Sequence, residues 1–127
     1  MPWTSCARAS LDPCYGRRVR LTPGENAAVA AMVAWLRSAF GQRVRELAVF
    51  GSRARGEGHE GSDVDVLAVI DELSTTEGRE IAARCGDILT EHDIIVSVLS
   101  LSSARMDELR RRGRRLVIEI DREGVGL

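Results

Sequence analysis

Carboxylates and a Gly-Ser pair are the groups in this sequence best suited to chemistry on phosphates. Asp63 and Asp65 flank a single valine, Gly51-Ser52 precede them, and Asp93 lies further along the chain. Carboxylate oxygens are the ligands that Mg²⁺ and Mn²⁺ prefer, and glycine lets a backbone approach a phosphate closely. The pattern therefore predicts that Asp63, Asp65 and Asp93 bind a divalent metal, while Gly51 and Ser52 bind phosphate oxygens.

Short strands joined by helices must position these residues. Apolar runs predict strands at Val44–Phe50, Asp63–Ile70 and Ile94–Leu101. A helix predicted at Ser74–Thr90, where Ser74 and Glu77 have the spacing of a capping box, joins the second strand to the third. This connection suits a right-handed crossover between parallel strands. The polar stretch Arg53–Gly61 is read as a loop, or as a short helical turn followed by a loop, and it permits an antiparallel first strand.

With these strand directions, the Gly-Ser pair and the three aspartates meet at one edge of the sheet. The period of two in a strand puts Asp63 and Asp65 on the same face, where their repulsion favours a bound cation. Arg53 and Arg55 are expected to contact phosphate, with exposed loop arginines as the alternative. Glu91 competes with Asp93 for the role of third carboxylate.

The remaining segments complete one small domain. Residues 1–21 are predicted to be a flexible tail and residues 22–127 to be the folded domain. Thr22 is expected to cap a helix over residues 25–40, and two further helices are predicted at 103–112 and 115–121. The order of elements predicts an α/β or α+β fold, with a small mixed sheet of three or more strands flanked by helices.

Composition excludes several mechanisms. All 18 basic residues are arginine, so a Walker-type lysine and a Schiff-base lysine are absent. A net charge of -1 gives no electrostatic reason to expect direct binding of nucleic acid. The sequence shows neither a membrane span nor a signal peptide, and we predict a cytoplasmic protein. The dense charge at Arg110–Arg115 is interpreted as a solvated helix end, with a contact to nucleic acid or to an acidic partner as the alternative.

At this point the motif resembles a known superfamily. The runs Phe50–Gly56 and Ser62–Asp65 resemble the signature of the DNA polymerase β-like nucleotidyltransferases, most closely their minimal nucleotidyltransferase (MNT) branch. That branch has a third carboxylate on the next strand, where Asp93 stands in this chain. The run Ile118–Val125 is similar to the end of many MNT domains, so that the resemblance covers roughly residues 25–127.

The resemblance implies the nucleotidyltransferase fold, ATP as substrate and Mg²⁺ or Mn²⁺ as cofactor. It also implies transfer of AMP to a hydroxyl, namely a tyrosine on a partner HEPN toxin, with this chain as the antitoxin. Two alternatives stay open: a non-catalytic module that neutralises its partner by contact, and transfer to a small molecule or an RNA end. The preferred nucleotide and a homo-oligomeric state are also open. The implied site comprises the catalytic and metal-binding residues Asp63, Asp65 and Asp93 and the nucleotide-binding residues Gly51, Ser52, Arg53 and Arg55.

Overall fold

The computed structural model describes residues 21–55 and 63–127. In these residues, helices and strands follow one another in the order α1, β1, α2, β2, α3, β3, α4, α5, β4, with a single 3-10 turn at Gly41–Arg43 after α1. Their bounds are α1 Pro23–Phe40, β1 Val44–Phe50, α2 Gly51–Arg55, β2 Val64–Ile70, α3 Thr75–His92, β3 Val96–Ser102, α4 Ser103–Arg111, α5 Arg115–Glu123 and β4 Val125–Gly126.

The four strands form one mixed sheet in the order β3-β2-β1-β4. β2 and β3 run parallel, whereas β1 is antiparallel to both β2 and β4. The predicted strand directions are therefore confirmed, and so is the mixed α+β sheet. The strand β4 was not predicted, because its two residues lie in a glycine-rich segment and become a strand through pairing with Ala48 and Val49.

Helices cover both faces of the sheet, and the alternation of residues along β2 shows which side each one faces. Val64, Val66 and Ile70 belong to the core cluster that contains the apolar side of α1 and α3. Leu67 and Val69 belong to a second cluster with residues of α4 and α5. Because neighbours along a strand point to opposite faces, the odd-numbered residues of β2 face the side of α4 and α5.

Side-chain caps fix where the two long helices begin. The Thr22 hydroxyl accepts from the Glu25 backbone N–H at 3.1 Å, and a Glu25 carboxylate oxygen accepts from the Thr22 N–H at 2.8 Å. Ser74 and Glu77 form the same reciprocal pair at the start of α3. Each box satisfies backbone donors that have no partner inside the helix. Both N-terminal caps predicted from the sequence are present.

The end of α3 differs from the prediction. The helix continues to His92, and Asp93 ends it in the left-handed conformation with φ 56° and ψ 34°. The third strand therefore begins at Val96 rather than at Ile94. The predicted start was wrong because the β-branched pair Ile94-Ile95 was assigned to the strand, whereas those residues lead the chain from the helix cap into the sheet.

The arginine run at the end of α4 is tied to the fold by its first residue, Arg110. The Arg110 guanidinium donates two hydrogen bonds to Glu46, each at 3.0 Å, and two more to Asp121, at 2.8 and 3.1 Å. This network joins α4, β1 and α5. Arg112 and Arg115 pair with acidic neighbours on their own helices.

Two of the segments predicted from the sequence lie partly outside the described residues. The predicted tail lies outside the described residues except for Leu21, which packs against the core. Residues 56–61 of the predicted loop, and Ser62 after it, are likewise outside them. Within residues 21–55 and 63–127, no helix is long and apolar enough to cross a membrane.

An ion pair fastens α3 to the start of β1. Arg43 donates to both carboxylate oxygens of Glu77, at 2.8 and 2.9 Å, and the Ser74 N–H donates to the same carboxylate at 3.0 Å. These bonds, those from Arg43 foremost, lower the pKa of Glu77 to about 2. Glu77 thus contributes stability above its unfolded pKa of about 4.3, and loses it as the pH falls towards 2.

We expect Glu77→Gln to lower Tm at pH 7, because the variant loses the negative charge that binds the Arg43 guanidinium. Its side-chain amide oxygen still accepts the capping hydrogen bond from the Ser74 N–H. The difference in Tm from the wild type should shrink between pH 4.3 and pH 2, as measured by thermal unfolding across that range. Glu80→Gln, an exposed change on the same helix, serves as the control. A difference that stays constant down to pH 2 would contradict the assignment.

Candidate active site

Gly51 and Asp65 approach each other closely where β1 ends. Phe50, the last residue of β1, pairs with Asp65 of β2, so the next residue, Gly51, turns over the Asp65 side chain. A Cβ atom at Gly51 would lie 2.7 Å from Asp65 Oδ2, closer than carbon and oxygen can approach. The backbone of Gly51 has φ +76°, which residues with a side chain rarely adopt. Glycine is therefore required here both by conformation and by contact.

Asp63 and Asp65 form a pair of carboxylates at the same place. Both are odd-numbered positions of one extended segment, which puts them on the sheet face of α4 and α5. Partial burial, followed by the negative charge of Asp63, raises the pKa of Asp65. Both causes disfavour the charged form of Asp65, and a bound cation would relieve them.

The neighbouring strand brings no carboxylate beside this pair. Asp65 pairs with Ser97 of β3, and the Val64 N–H donates to the Ile95 carbonyl at 3.0 Å, which continues the parallel ladder towards Asp63. Ile95 therefore stands next to Asp63, with 48 % of its surface exposed. The positions across from the two aspartates hold an apolar residue and a hydroxyl.

The two candidates for a third carboxylate lie before β3. Asp93 is the exposed cap of α3, and Glu91 is exposed on the last turn of that helix, 3.5 Å from Arg84. Within residues 21–55 and 63–127, no three His, Cys, Asp or Glu side chains lie close enough together to hold one metal ion. The structure thus brings Asp63 and Asp65 together, and leaves the choice between Asp93 and Glu91 a prediction.

Arg53 has a different environment from the one expected of a phosphate contact. It is only 3 % exposed, and its guanidinium pairs with the equally buried carboxylate of Glu25 on the first turn of α1. No local sequence pattern indicates this pair, because Glu25 stands where a residue of the first helical turn is expected and its partner lies 28 residues further along the chain. The role of Arg53 in nucleotide binding remains a prediction, and its ion pair is what the structure describes.

Ser52 and Arg55 are described only as backbone within α2. The residues Gly51–Arg55 form one helical turn, so the reading of this stretch as a short turn followed by a loop is confirmed for its first part. That turn follows β1 directly, and its first residue, Gly51, lies close to the Asp65 carboxylate. The predicted nucleotide contacts of the two side chains fall outside what the structure describes.

The donor set at Asp63 and Asp65 fits a divalent metal of the Mg²⁺ type. Mg²⁺ commonly binds proteins through one or two carboxylates and completes its octahedron with water and substrate phosphates. Two aspartates on one strand face, one of them with a raised pKa, supply such a half-shell. Because Gly51 approaches so closely, the side of Asp65 that faces α2 lies against backbone atoms.

A mixed sheet that carries paired aspartates beside a Gly-Ser turn is the arrangement that the sequence predicts for the nucleotidyltransferase class. The comparisons with known proteins agree with this class. Residues 33–120 match the sequence profile of the nucleotidyltransferase domain. The chain belongs to that family, and the resemblance noted in the sequence is confirmed at this level. A search of curated protein sequences finds no significant match.

A solved structure shows the same fold, and two further ones are similar at lower TM-scores. A candidate nucleotidyltransferase from Sulfolobus solfataricus is similar at a TM-score of 0.50 and 19% identity, over 84% of this chain and 87% of that one. A toxin–antitoxin structure with AMP-PNP is similar at a TM-score of 0.49 and 18% identity, over 76% of this chain and 69% of that one. A variant of the toxin–antitoxin MntA-HpeT is similar at 0.47 and 17%, over 77% and 70%.

We expect Gly51→Ala to destabilise the fold by more than the roughly 1–2 kcal/mol that a left-handed alanine costs, because its methyl group would also collide with Asp65. Gly113→Ala is the matched control, since Gly113 has φ +62° and open space around it. Urea unfolding measures the free energy of unfolding that each variant loses, and the difference between the two losses is the cost of the collision with Asp65. Adding Asp65→Ala to Gly51→Ala should recover that difference. Equal losses in the two single variants would contradict the close contact.

Asp65→Asn should raise the stability of the metal-free protein at pH 7 by up to about 1 kcal/mol, a small value because the carboxylate is partly exposed. Its pKa is raised in the fold, so the charged form is penalised at neutral pH. The penalty disappears as the pH falls below the ordinary value of about 3.9. Thermal unfolding in EDTA at pH 7 and pH 3 measures this, with the exposed change Asp107→Asn as the control. A lower Tm at pH 7 would refute the electrostatic argument.

Proposed function

We propose that this nucleotidyltransferase domain transfers AMP from ATP to a hydroxyl group on a partner protein. The observation that carries the proposal is the carboxylate pair Asp63 and Asp65 held against the Gly51 turn. The pair concentrates negative charge where a metal–triphosphate can bind. The adjacent glycine allows the backbone to approach a phosphate oxygen closely.

In this proposal Asp63 and Asp65 hold Mg²⁺, or Mn²⁺ in its place. When bound, the ion neutralises charge on the triphosphate and polarises its phosphate oxygens. The backbone of Gly51 and Ser52 would then lie against the triphosphate, on the side of Asp65 that faces α2. Catalysis of this kind depends on positioning and electrostatics, since the reaction needs no covalent intermediate with the protein.

The transfer itself is an in-line displacement at the α-phosphorus. The acceptor oxygen forms a bond to phosphorus, the bond to the β-phosphate oxygen breaks, and pyrophosphate leaves. The acceptor's hydroxyl proton passes to a carboxylate that acts as general base. Asp93 is proposed for that role, and Glu91 is the alternative; both are exposed near the entry to β3.

The acceptor we propose is a tyrosine on a HEPN-type toxin, with this chain as its antitoxin. The motif resemblance to MNT domains supports this partner. Exposed apolar surface at Ile95, beside Asp63, suits contact with an aromatic ring on the acceptor side. A modified tyrosine would block the toxin covalently rather than by occupancy alone.

The test is incubation of the chain with α-labelled ATP, Mg²⁺ and its HEPN-type partner. We expect label on the partner, and a loss of about 10²-fold or more in rate with Asp63→Asn or Asp65→Asn, the scale at which preorganised charged groups act. Asp93→Asn and Glu91→Gln identify the base by which of them loses activity. Asp107→Asn, an exposed carboxylate on α4, is the control and should retain the wild-type rate.

Two outcomes would replace the proposal with its alternatives. Neutralisation of the partner that persists in the double variant Asp63→Asn, Asp65→Asn would mean that contact alone suffices. Label transferred to RNA ends or to a small hydroxyl compound, and none to the partner, would mean that the acceptor is not a protein.

A further inference from the structure

The ion pair between Glu25 and Arg53 lies in the interior of the protein, next to the candidate site. Their side chains are each 3 % exposed. The pair joins the first turn of α1 to the single turn of α2, which follows Gly51. Burying two charges is costly, and an apolar pair of the same volume is often as stable or more so. The pair therefore calls for a reason other than stability.

Glu25 is itself held in place from a second direction. Its Oε1 atom accepts from the Thr22 N–H at 2.8 Å as well as from the Arg53 guanidinium, and its own N–H donates to the Thr22 hydroxyl at 3.1 Å. A capping box thus gives the carboxylate a fixed position at the start of an 18-residue helix. Because the carboxylate is fixed, the Arg53 guanidinium that pairs with it is held in place as well.

The pair is one of the contacts that fix α2 relative to Asp65, together with those that α2 makes with β1, β2 and α5. Arg53 follows Gly51 by two residues, and Ala54, which comes next, is 1 % exposed in the core beside α1 and α3. The backbone of Gly51 lies so close to Asp65 that an added Cβ atom would be 2.7 Å from Oδ2, so a small shift of the turn would change the space between this backbone and the carboxylate. The Glu25–Arg53 pair opposes such a shift.

We propose that Glu25 and Arg53 are positioning residues, which hold the Gly51-Ser52 turn against the carboxylate pair for nucleotide binding. The inference rests on the proposed function for its catalytic consequence. Arg53 acts in it through the backbone of α2 and not by touching phosphate. The anchoring of the turn is a property of the fold and can be measured without catalysis.

The experiment compares Glu25→Gln, Arg53→Lys and the apolar double variant Glu25→Met, Arg53→Met with the wild type. We expect the double variant to remain folded, with kcat/KM for ATP reduced at least tenfold. The single variants should show losses that do not add, because each breaks the same anchor. Glu77→Gln is the matched control: it breaks the Arg43 ion pair between α3 and the start of β1, and should lower Tm while leaving kcat/KM unchanged.

Hydrogen exchange of the backbone amides of Phe50–Arg55 gives a readout that needs no activity. Exchange there should rise at least tenfold in the Glu25 and Arg53 variants, remain at the wild-type rate in Glu77→Gln, and leave β3 unaffected. Unchanged exchange in this segment would overturn the anchoring.

The kinetic results separate the remaining readings. Wild-type kcat/KM in the double variant would make the pair merely structural. Full activity in Glu25→Gln together with lost ATP binding in Arg53→Lys would make Arg53 a direct phosphate contact. A wild-type protein that transfers no label would remove the proposed function, and the exchange data would still decide the anchoring.

Discussion

The close approach of Gly51 to the Asp65 carboxylate is the constraint on which the candidate site depends. It requires β1 to end directly across from the start of β2, which the antiparallel pairing of Phe50 with Asp65 provides. It also requires a residue without a side chain at a positive φ. An acidic group that is partly buried and lies beside another acid is costly in the free protein, and this cost is typical of groups retained for binding rather than for stability.

The rest of the fold supports this close approach of Gly51 and Asp65. The two aspartates stand at the start of β2, which pairs with β3, and helices on both faces of the sheet cover the apolar residues of these strands. Arg110 and Arg43 fasten the distant parts with bidentate pairs to Glu46 and Glu77. Charges used in this way belong to the architecture, which explains why dense charge in a sequence is a poor guide to a binding surface.

In the proposed function, the acceptor side of the site differs from its nucleotide side. The strand next to the aspartates has Ile95 and Ser97 in the adjoining positions, and Asp93 stands at a helix cap instead of in the strand. The proposed half-site for metal and triphosphate would therefore lie beside exposed apolar surface. This arrangement suits a reaction in which the second substrate brings its own binding energy, as a folded partner protein would.

The sequence by itself determined the elements, the caps at Thr22 and Ser74, and the pairing of Asp63 with Asp65 on one face. These follow from local rules of period, capping and turn chemistry, which act over a few residues. Only the tertiary structure decided the burial of Arg53, since its partner is far away in the sequence. It likewise decided the late start of β3 and the strand β4, because cap geometry and strand pairing depend on contacts that no local pattern records.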